Sequence, residues 1–380
     1  MSKSKWLPLM MIFGLFMFLS IGCGSKPTAN NEAPKTNTAA VNPSGGGDTV
    51  KFAYISMVQG SPQALINRDN KIFEQELQKV GKKVEFVATR SLDNIWPMMD
   101  SNDNDPDFVY IPTANFSTYI TETSRFGGSN KYAIIAGSNN ADSTALFVSS
   151  KIKSLKHLDG KTVGIANQRY QDEFQLNKVL NTVGLSTDSV GGSVKVAWDD
   201  IVVKEVDNFR TGKYDAIVIY DPENFPMVLQ KVPGSKMLTS LNPNGLFGSK
   251  QPRTWLIAKK DVIKNDPELV KTVLKAHILA TEKALAEADK IPAIAREIYL
   301  SYYQQKKAKM DEILKKHTPE FYKKKWSETE ITYDPNTKFV LDVYEFMKQK
   351  GLMKDKTKED FVQIGYLNEV LQEMGKRPVK

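Results

Sequence analysis

The sequence predicts an α/β fold in two lobes, hinged as a clamp. Three observations carry this. A rhythm of strand, polar loop and helix recurs from Val50 onward, the pattern of mainly parallel strands whose ligands sit at their carboxyl ends. The chain has 380 residues, enough for two lobes of ordinary domain size. Two apolar strands, Ala145 to Ser149 and Arg253 to Ala258, stand where the chain would leave one lobe and return to it. A hydrophobic content of 41% and a charged content of 25% are ordinary for a soluble globular protein. The net charge of +8 is not gathered into a nucleic-acid footprint, so no nucleic-acid partner is expected.

The chain begins with Lys3 and Lys5, followed by an apolar run from Trp6 to Ile21. This is the layout of a signal peptide, assigned to residues 1–22, and the run is short for a membrane span. Cys23 is the only cysteine, so no disulfide forms within the chain and no thiol remains for catalysis or metal binding in the lobes. Leu19-Ser20-Ile21-Gly22-Cys23 resembles a lipobox, with its leucine one place early. The resemblance implies lipidation of Cys23 and anchorage in the lipid bilayer. Residues 23–49, rich in Gly, Ser, Pro, Asn, Thr and Ala, form a disordered tether.

The folded body follows in order. Val50 to Ile55 is a strand, then a loop holds Met57, Gln59 and Gly60. A helix is expected from about Asn67, with Ile72, Phe73, Leu77 and Val80 inward and Gly81 as its stop. Val84 to Val87 is the second strand, and a helix carrying Trp96 and Met99 follows Arg90-Ser91. Asp107 to Ile111 is the third strand and runs into Pro112-Thr113. Further on, Asp266-Pro267-Glu268 is a helix start, with an N-cap, a proline in the first turn and an acid behind it. Pro292 and Pro335 open further helices.

Residues 151–185 organise the second lobe. Asp159-Gly160 is a turn, Thr162 to Ala166 a buried strand, and Asn167 to Asp172 a polar loop. Leu176, Val179, Leu180 and Val183 then mark one face of a helix closed by Gly184. Lys153-Ser154-Leu155, Leu158, Gly160-Lys161 and Val163-Gly164, with Leu180 and Gly184-Leu185, resemble ABC-transporter substrate-binding proteins of the nitrate/sulfonate/taurine type. Gly212-Lys213-Tyr214-Asp215-Ala216 is similar to the same family's Gly-x-x-Asp-Ala, and Asp107 stands at the aspartate of its first-lobe Gly-x-x-Asp without the glycine.

The resemblance implies a periplasmic-binding-protein-like fold of type II with two chain crossovers. Lobe 1 is expected over 50–145 and 254–380, and lobe 2 over 146–253. It implies a lipid-anchored component of an ABC importer on the extracytoplasmic face of the cell membrane. That component captures a small organic solute and delivers it to a membrane permease, as a monomer without cofactor.

Polar loops after strands supply the candidate contacts. In lobe 1 these are Met57, Gln59, Arg90, Ser91, Tyr110 and Thr113; in lobe 2, Asn167, Gln168, Arg169, Tyr170, Tyr220, Asp221 and Glu223. Arg169 at a helix start suits a sulfonate or carboxylate. Asp221 and Glu223 disfavour a bare inorganic anion and favour an amine, a zwitterion or a heterocycle. No metal-ligand spacing, phosphate loop or nucleophile elbow is present. His157, His277 and His317 lie outside the pocket loops, which argues against an enzyme of the same fold. A sensor or surface interaction module remains the other alternative.

Overall fold

The computed structural model describes residues 49–55, 60–89, 92–101, 105–121, 131–166, 170–220, 222–305, 310–354 and 356–380. Those residues belong to one compact unit, Pro43–Lys380. The leading unit, Met1–Asn42, lies outside them, and with it the signal peptide and Cys23.

In chain order the elements are β1 (Thr49–Ile55), α1 (Pro62–Asn70), α2 (Ile72–Gln78), β2 (Lys83–Thr89), α3 (Leu92–Asp100), β3 (Phe108–Pro112), α4 (Thr113–Thr121) and β4 (Tyr132–Asn140). Then come β5 (Thr144–Val148), β6 (Thr162–Ala166), α5 (Tyr170–Asn181), β7 (Lys195–Asp199), α6 (Val202–Arg210), β8 (Ala216–Tyr220), α7 (Phe225–Lys231) and β9 (Lys236–Ser240). The chain closes with β10 (Pro252–Lys259), α8 (Lys260–Asn265), α9 (Pro267–Ala286), α10 (Ile291–Gln305), α11 (Met310–Lys316), α12 (Pro319–Ser327), β11 (Glu330–Ile331), α13 (Thr337–Gln349) and α14 (Gly365–Glu373).

Two sheets result. Lobe 1 holds the order β11-β4-β10-β3-β1-β2, and lobe 2 the order β7-β6-β8-β5-β9. Successive strand residues point to opposite faces, and each sheet buries both. In lobe 1, Phe52, Tyr54, Phe108 and Tyr110 pack under α1, α2 and α9. Their neighbours Ala53, Ile55, Val109 and Ile111 pack against α4 and α13. In lobe 2, Val163, Ile165 and Val218 face α5, while Phe147, Ile217 and Ile219 face α6 and α7.

The expectation of mainly parallel strands needs correction. β1–β2, β1–β3, β6–β7 and β6–β8 are parallel, but β10–β3, β10–β4, β11–β4, β5–β8 and β5–β9 are antiparallel. The reason is the double crossing. β4 carries the chain out of the first sheet, and β10 brings it back beside β4 in the opposite sense. The two crossing segments hold each other: Ala141 N donates to Gln251 O at 2.9 Å, and Asn242 Nδ2 donates to Asp142 Oδ1 at 2.9 Å.

The first helix also differs from its prediction. It begins at Pro62 and breaks at Lys71, which adopts a left-handed φ of 54°. Asn67 stabilises the break, with its side-chain oxygen accepting from Phe73 N at 2.9 Å and its amide donating to Glu74 at 2.9 Å. Helix α2 ends at Gln78, so Val80 lies in the following turn and is 47% exposed instead of inward. Asp266 does cap α9, accepting from Leu269 N at 3.1 Å.

Two glycines mark close approaches. A Cβ on Gly137 in β4 would stand 2.2 Å from Asp334 O, because the 333–335 backbone crosses that strand. A Cβ on Gly164 in β6 would stand 2.5 Å from the Tyr214 ring. Tyr214 in turn donates its hydroxyl to Asp199 Oδ2 at 2.9 Å, which fixes the ring over the glycine.

Candidate functional site

The crossover that begins β10 brings an arginine to the place where the two sheets meet. Thr254 pairs with Pro112 at the carboxyl end of β3, so Arg253 sits beside that end. Its side chain is 2% exposed, and its guanidinium carbon lies 5.3 Å from the centre of the Tyr220 ring. Tyr220 closes β8 and belongs to lobe 2, so this contact spans the lobes. A guanidinium over a tyrosine face is a favourable cation–π arrangement, and more so when desolvated.

A small cavity of about 10 Å³ adjoins Arg253, bounded also by Ile55, Gly60, Ser61, Tyr110, Pro112 and Thr254. That is room for about one water. Ser61 precedes α1, whose proline stands in the first turn, so the start of a nine-residue helix opens onto this cavity. Helix starts present free N–H groups and favour negative charge. An arginine fork and a helix start around one space are the parts of an anion site. Asn139 supports the loop before α1, donating from Nδ2 to Gly60 O at 2.5 Å.

The predicted residues fall into separate groups. Tyr110 and Tyr220 both reach Arg253 or its cavity. Tyr110 also faces backward, its hydroxyl 2.9 Å from His277 Nδ1. His277 Nε2 lies 2.8 Å from Gly137 O. A carbonyl can only accept, so Nε2 carries the proton and Nδ1 accepts from Tyr110. Burial holds this imidazole neutral, its pKa lowered to about 4, with the Gly137 bond opposing weakly. Thr113 ties the lobes together, donating to Pro252 O at 3.0 Å and accepting from Gln171 Nε2 at 2.9 Å.

Tyr170 joins a different group, with Trp198 and Lys350. Glu223 lies in the 3-10 turn Pro222–Asn224. Met57, Gln59, Arg90, Ser91, Asn167, Gln168, Arg169 and Asp221 lie outside the described residues. Trp255 in β10 is core: it is fully buried and donates Nε1 to Pro335 O at 3.1 Å.

Arg253 was missed from sequence because it reads as the first residue of an apolar strand. The available signal was a full charge placed between Pro252 and the run Thr254 to Ala258. Size alone would have misled. A groove of about 910 Å³ between α10 and α12, lined by Pro292, Leu300 and Trp326, contains none of the strand-end residues. Among the described residues, no cluster of His, Cys, Asp or Glu could hold a metal. No helix among them is long and apolar enough to cross a membrane.

Comparison with known proteins follows the same lines. Residues 134–291 match the family model described as NMT1/THI5 like. The periplasmic sulfonate-binding protein of a putative sulfonate ABC transporter from Methylobacillus flagellatus superposes with a TM-score of 0.58 at 15% identity, covering 86% of this chain and 94% of that one. The periplasmic nitrate-binding protein of Synechocystis gives 0.53 at 13% identity, over 86% and 89% of the two chains. A conserved Candida albicans protein described as showing the generic periplasmic binding protein fold gives 0.51 at 13% identity, over 87% and 96%. No curated protein matches the chain in sequence. The stretch 134–291, which contains the whole second sheet, is similar to the NMT1/THI5-like family, and the body has the periplasmic-binding-protein fold that residues 151–185 led us to expect.

Proposed function

We propose that this chain is the extracytoplasmic solute-binding component of an ABC importer. It takes a small organic anion between its lobes and delivers it to a membrane permease. The observation that carries this reading is Arg253, buried where the sheets meet, stacked on Tyr220 of the opposite lobe and facing the start of α1. A ligand touching both lobes stabilises their closed arrangement, which is the thermodynamic basis of capture. The anion, a sulfonate or carboxylate, reaches Arg253 and the helix start when the lobes part, since the space of about 10 Å³ there has room for about one water. The aromatic ring of Tyr220 beside Arg253 favours an organic body over a bare inorganic ion. Lobe 1 comprises the chain through β4 and from β10 at Pro252 onward, lobe 2 comprises β5 to β9 between them, and Cys23, lipidated after removal of residues 1–22, tethers the monomer to the membrane. The strand-end loops, from Met57 and Arg90 to Asn167, Arg169 and Asp221, complete the contact set.

Thermal unfolding of the protein with a panel of alkanesulfonates, taurine, nitrate and pyrimidines tests the reading. A true ligand at a thousandfold excess over its Kd stabilises by about 4 kcal/mol. Arg253→Gln should abolish the shift while the protein stays folded. Tight binding of nitrate alone would sink the organic preference. A ligand shift that survives Arg253→Gln would remove Arg253 from the site.

A further inference from the structure

Helix α5 faces two ways. Leu176, Val179 and Leu180 are buried against the sheet of lobe 2. Phe174 points the other way, into a core of lobe 1, with ring centres 5.5 Å from Phe247, 5.6 Å from Phe339 and 5.7 Å from Phe346. Beside it Glu173 is fully buried, and it pairs with Lys350 at the C-terminal cap of α13. Glu173 also accepts from the Ser189 hydroxyl. The Lys350 ammonium lies 5.5 Å from the Tyr170 ring centre, 5.6 Å from Trp198 and 5.6 Å from Phe346. Tyr170 and Trp198 belong to lobe 2, and their rings lie 5.5 Å apart.

A carboxylate supplying charge and aromatic faces supplying quadrupoles make up the chemistry by which alkylammonium groups are recognised. The last carbonyls of α13 add negative potential at the same point. The ion pair is almost out of water, the lysine side chain being 10% exposed, so it differs from surface pairs that contribute little. The same helix pair repeats the polarity further along, with Lys178 of α5 4.0 Å from Asp342 of α13.

We propose that lobe 2 carries an alkylammonium-binding box, made of Glu173, Tyr170 and Trp198, and that Lys350 fills it as a built-in ligand. The chain's own cation thereby holds the lobes together independently of any solute. This rests on the contact between lobes and not on the solute assignment. The box takes a primary ammonium on an unbranched carbon stem, and access by an outside amine requires Lys350 to withdraw.

Chemical rescue of the full chain tests it. Lys350→Ala should raise the radius of gyration in solution scattering and lower the thermal midpoint. n-Butylammonium chloride should return both to wild-type values in a saturable way, while equal sodium chloride or 1-butanol should not. The wild type should not respond to the amine, and a Lys350→Ala, Glu173→Gln double variant should not be rescued. Lys350→Met, which keeps the apolar stem and avoids a void, should also expand. An unchanged radius in Lys350→Met, rescue by sodium chloride to the same extent, or no rescue of Lys350→Ala by the amine would each overturn the proposal.

Discussion

In lobe 1, Asp107 sits at the head of β3 and accepts from Lys51 N of neighbouring β1 at 2.9 Å. In lobe 2, Asp215 sits at the head of β8 and accepts from Thr162 N of neighbouring β6 at 3.1 Å. Both aspartates belong to the family-like motifs read from sequence, and both lock the start of one parallel strand to the next. Their depth differs. Asp107 is enclosed, with Lys259 3.7 Å away and itself paired to Asp105 at 2.6 Å. Burial raises its pKa, against the pull of the Lys51 N–H and the Lys259 ammonium. Asp215 is about two-fifths exposed, and its ion pair among the described residues is with Lys161 at 3.9 Å. The difference teaches that one motif aspartate can serve as a largely enclosed strand lock in one lobe, its side chain one-fifth exposed, and as a more solvated strand cap in the other.

The sharpest test of the two-lobe description concerns the residue that violates it. Phe174 belongs to lobe 2 by chain position and to lobe 1 by packing. Phe174→Ala should cost about 3–5 kcal/mol in denaturant unfolding. It should also split a single transition into two if the lobes are held together mainly through this face. A single transition with a loss under about 1 kcal/mol would show that α5 is not shared.

Acid probes lobe 1 through His277. His277 has a folded pKa of about 4, below its ordinary 6.5, because it is buried. The neutral form is the one the fold accepts, so its contribution is present above about pH 6.5 and is lost as pH falls toward 4. The full loss is about 3 kcal/mol. Stability followed by denaturant titration across that window should fall in wild type and stay flatter in His277→Gln, a variant that starts lower.

The aspartates give the smaller pair of effects. Asp107→Ala removes the acceptor of an inner strand start and should cost about 2 kcal/mol. Asp215→Ala, in the more solvated setting, should cost about 1 kcal/mol. Hydrogen exchange at Lys51 and Thr162 would read each site separately, and equal costs would erase the contrast drawn between the lobes.

Much of the architecture was legible. Strands β1, β3, β6, β8 and β10 are short apolar runs bounded by turn residues, and the turn before β6 and the cap of α9 carry explicit local chemistry. Strand β4 was not legible. Its second half reads Gly137-Ser138-Asn139-Asn140, and the first three are buried because Gln63, the Gly60 loop and the 333–335 backbone supply their hydrogen bonds. Candidate loops could be placed after strands from sequence, and Tyr110 and Tyr220 stand at such ends. Arg253 could not be found that way, since it begins a strand running in the opposite sense.

By itself, then, the sequence determined what local physics can decide. Apolar periodicity set the α/β class, glycine and proline set the turns, and the motif around Gly160 and Asp215 set the family resemblance. Only the tertiary structure decided strand direction, the sharing of α5 between lobes, and the meeting of Arg253 with Tyr220 and of Lys350 with Glu173. Those pairs are separated by 33 and 177 positions in the chain. No local pattern encodes a contact that forms only when the chain has crossed twice and the two sheets face each other.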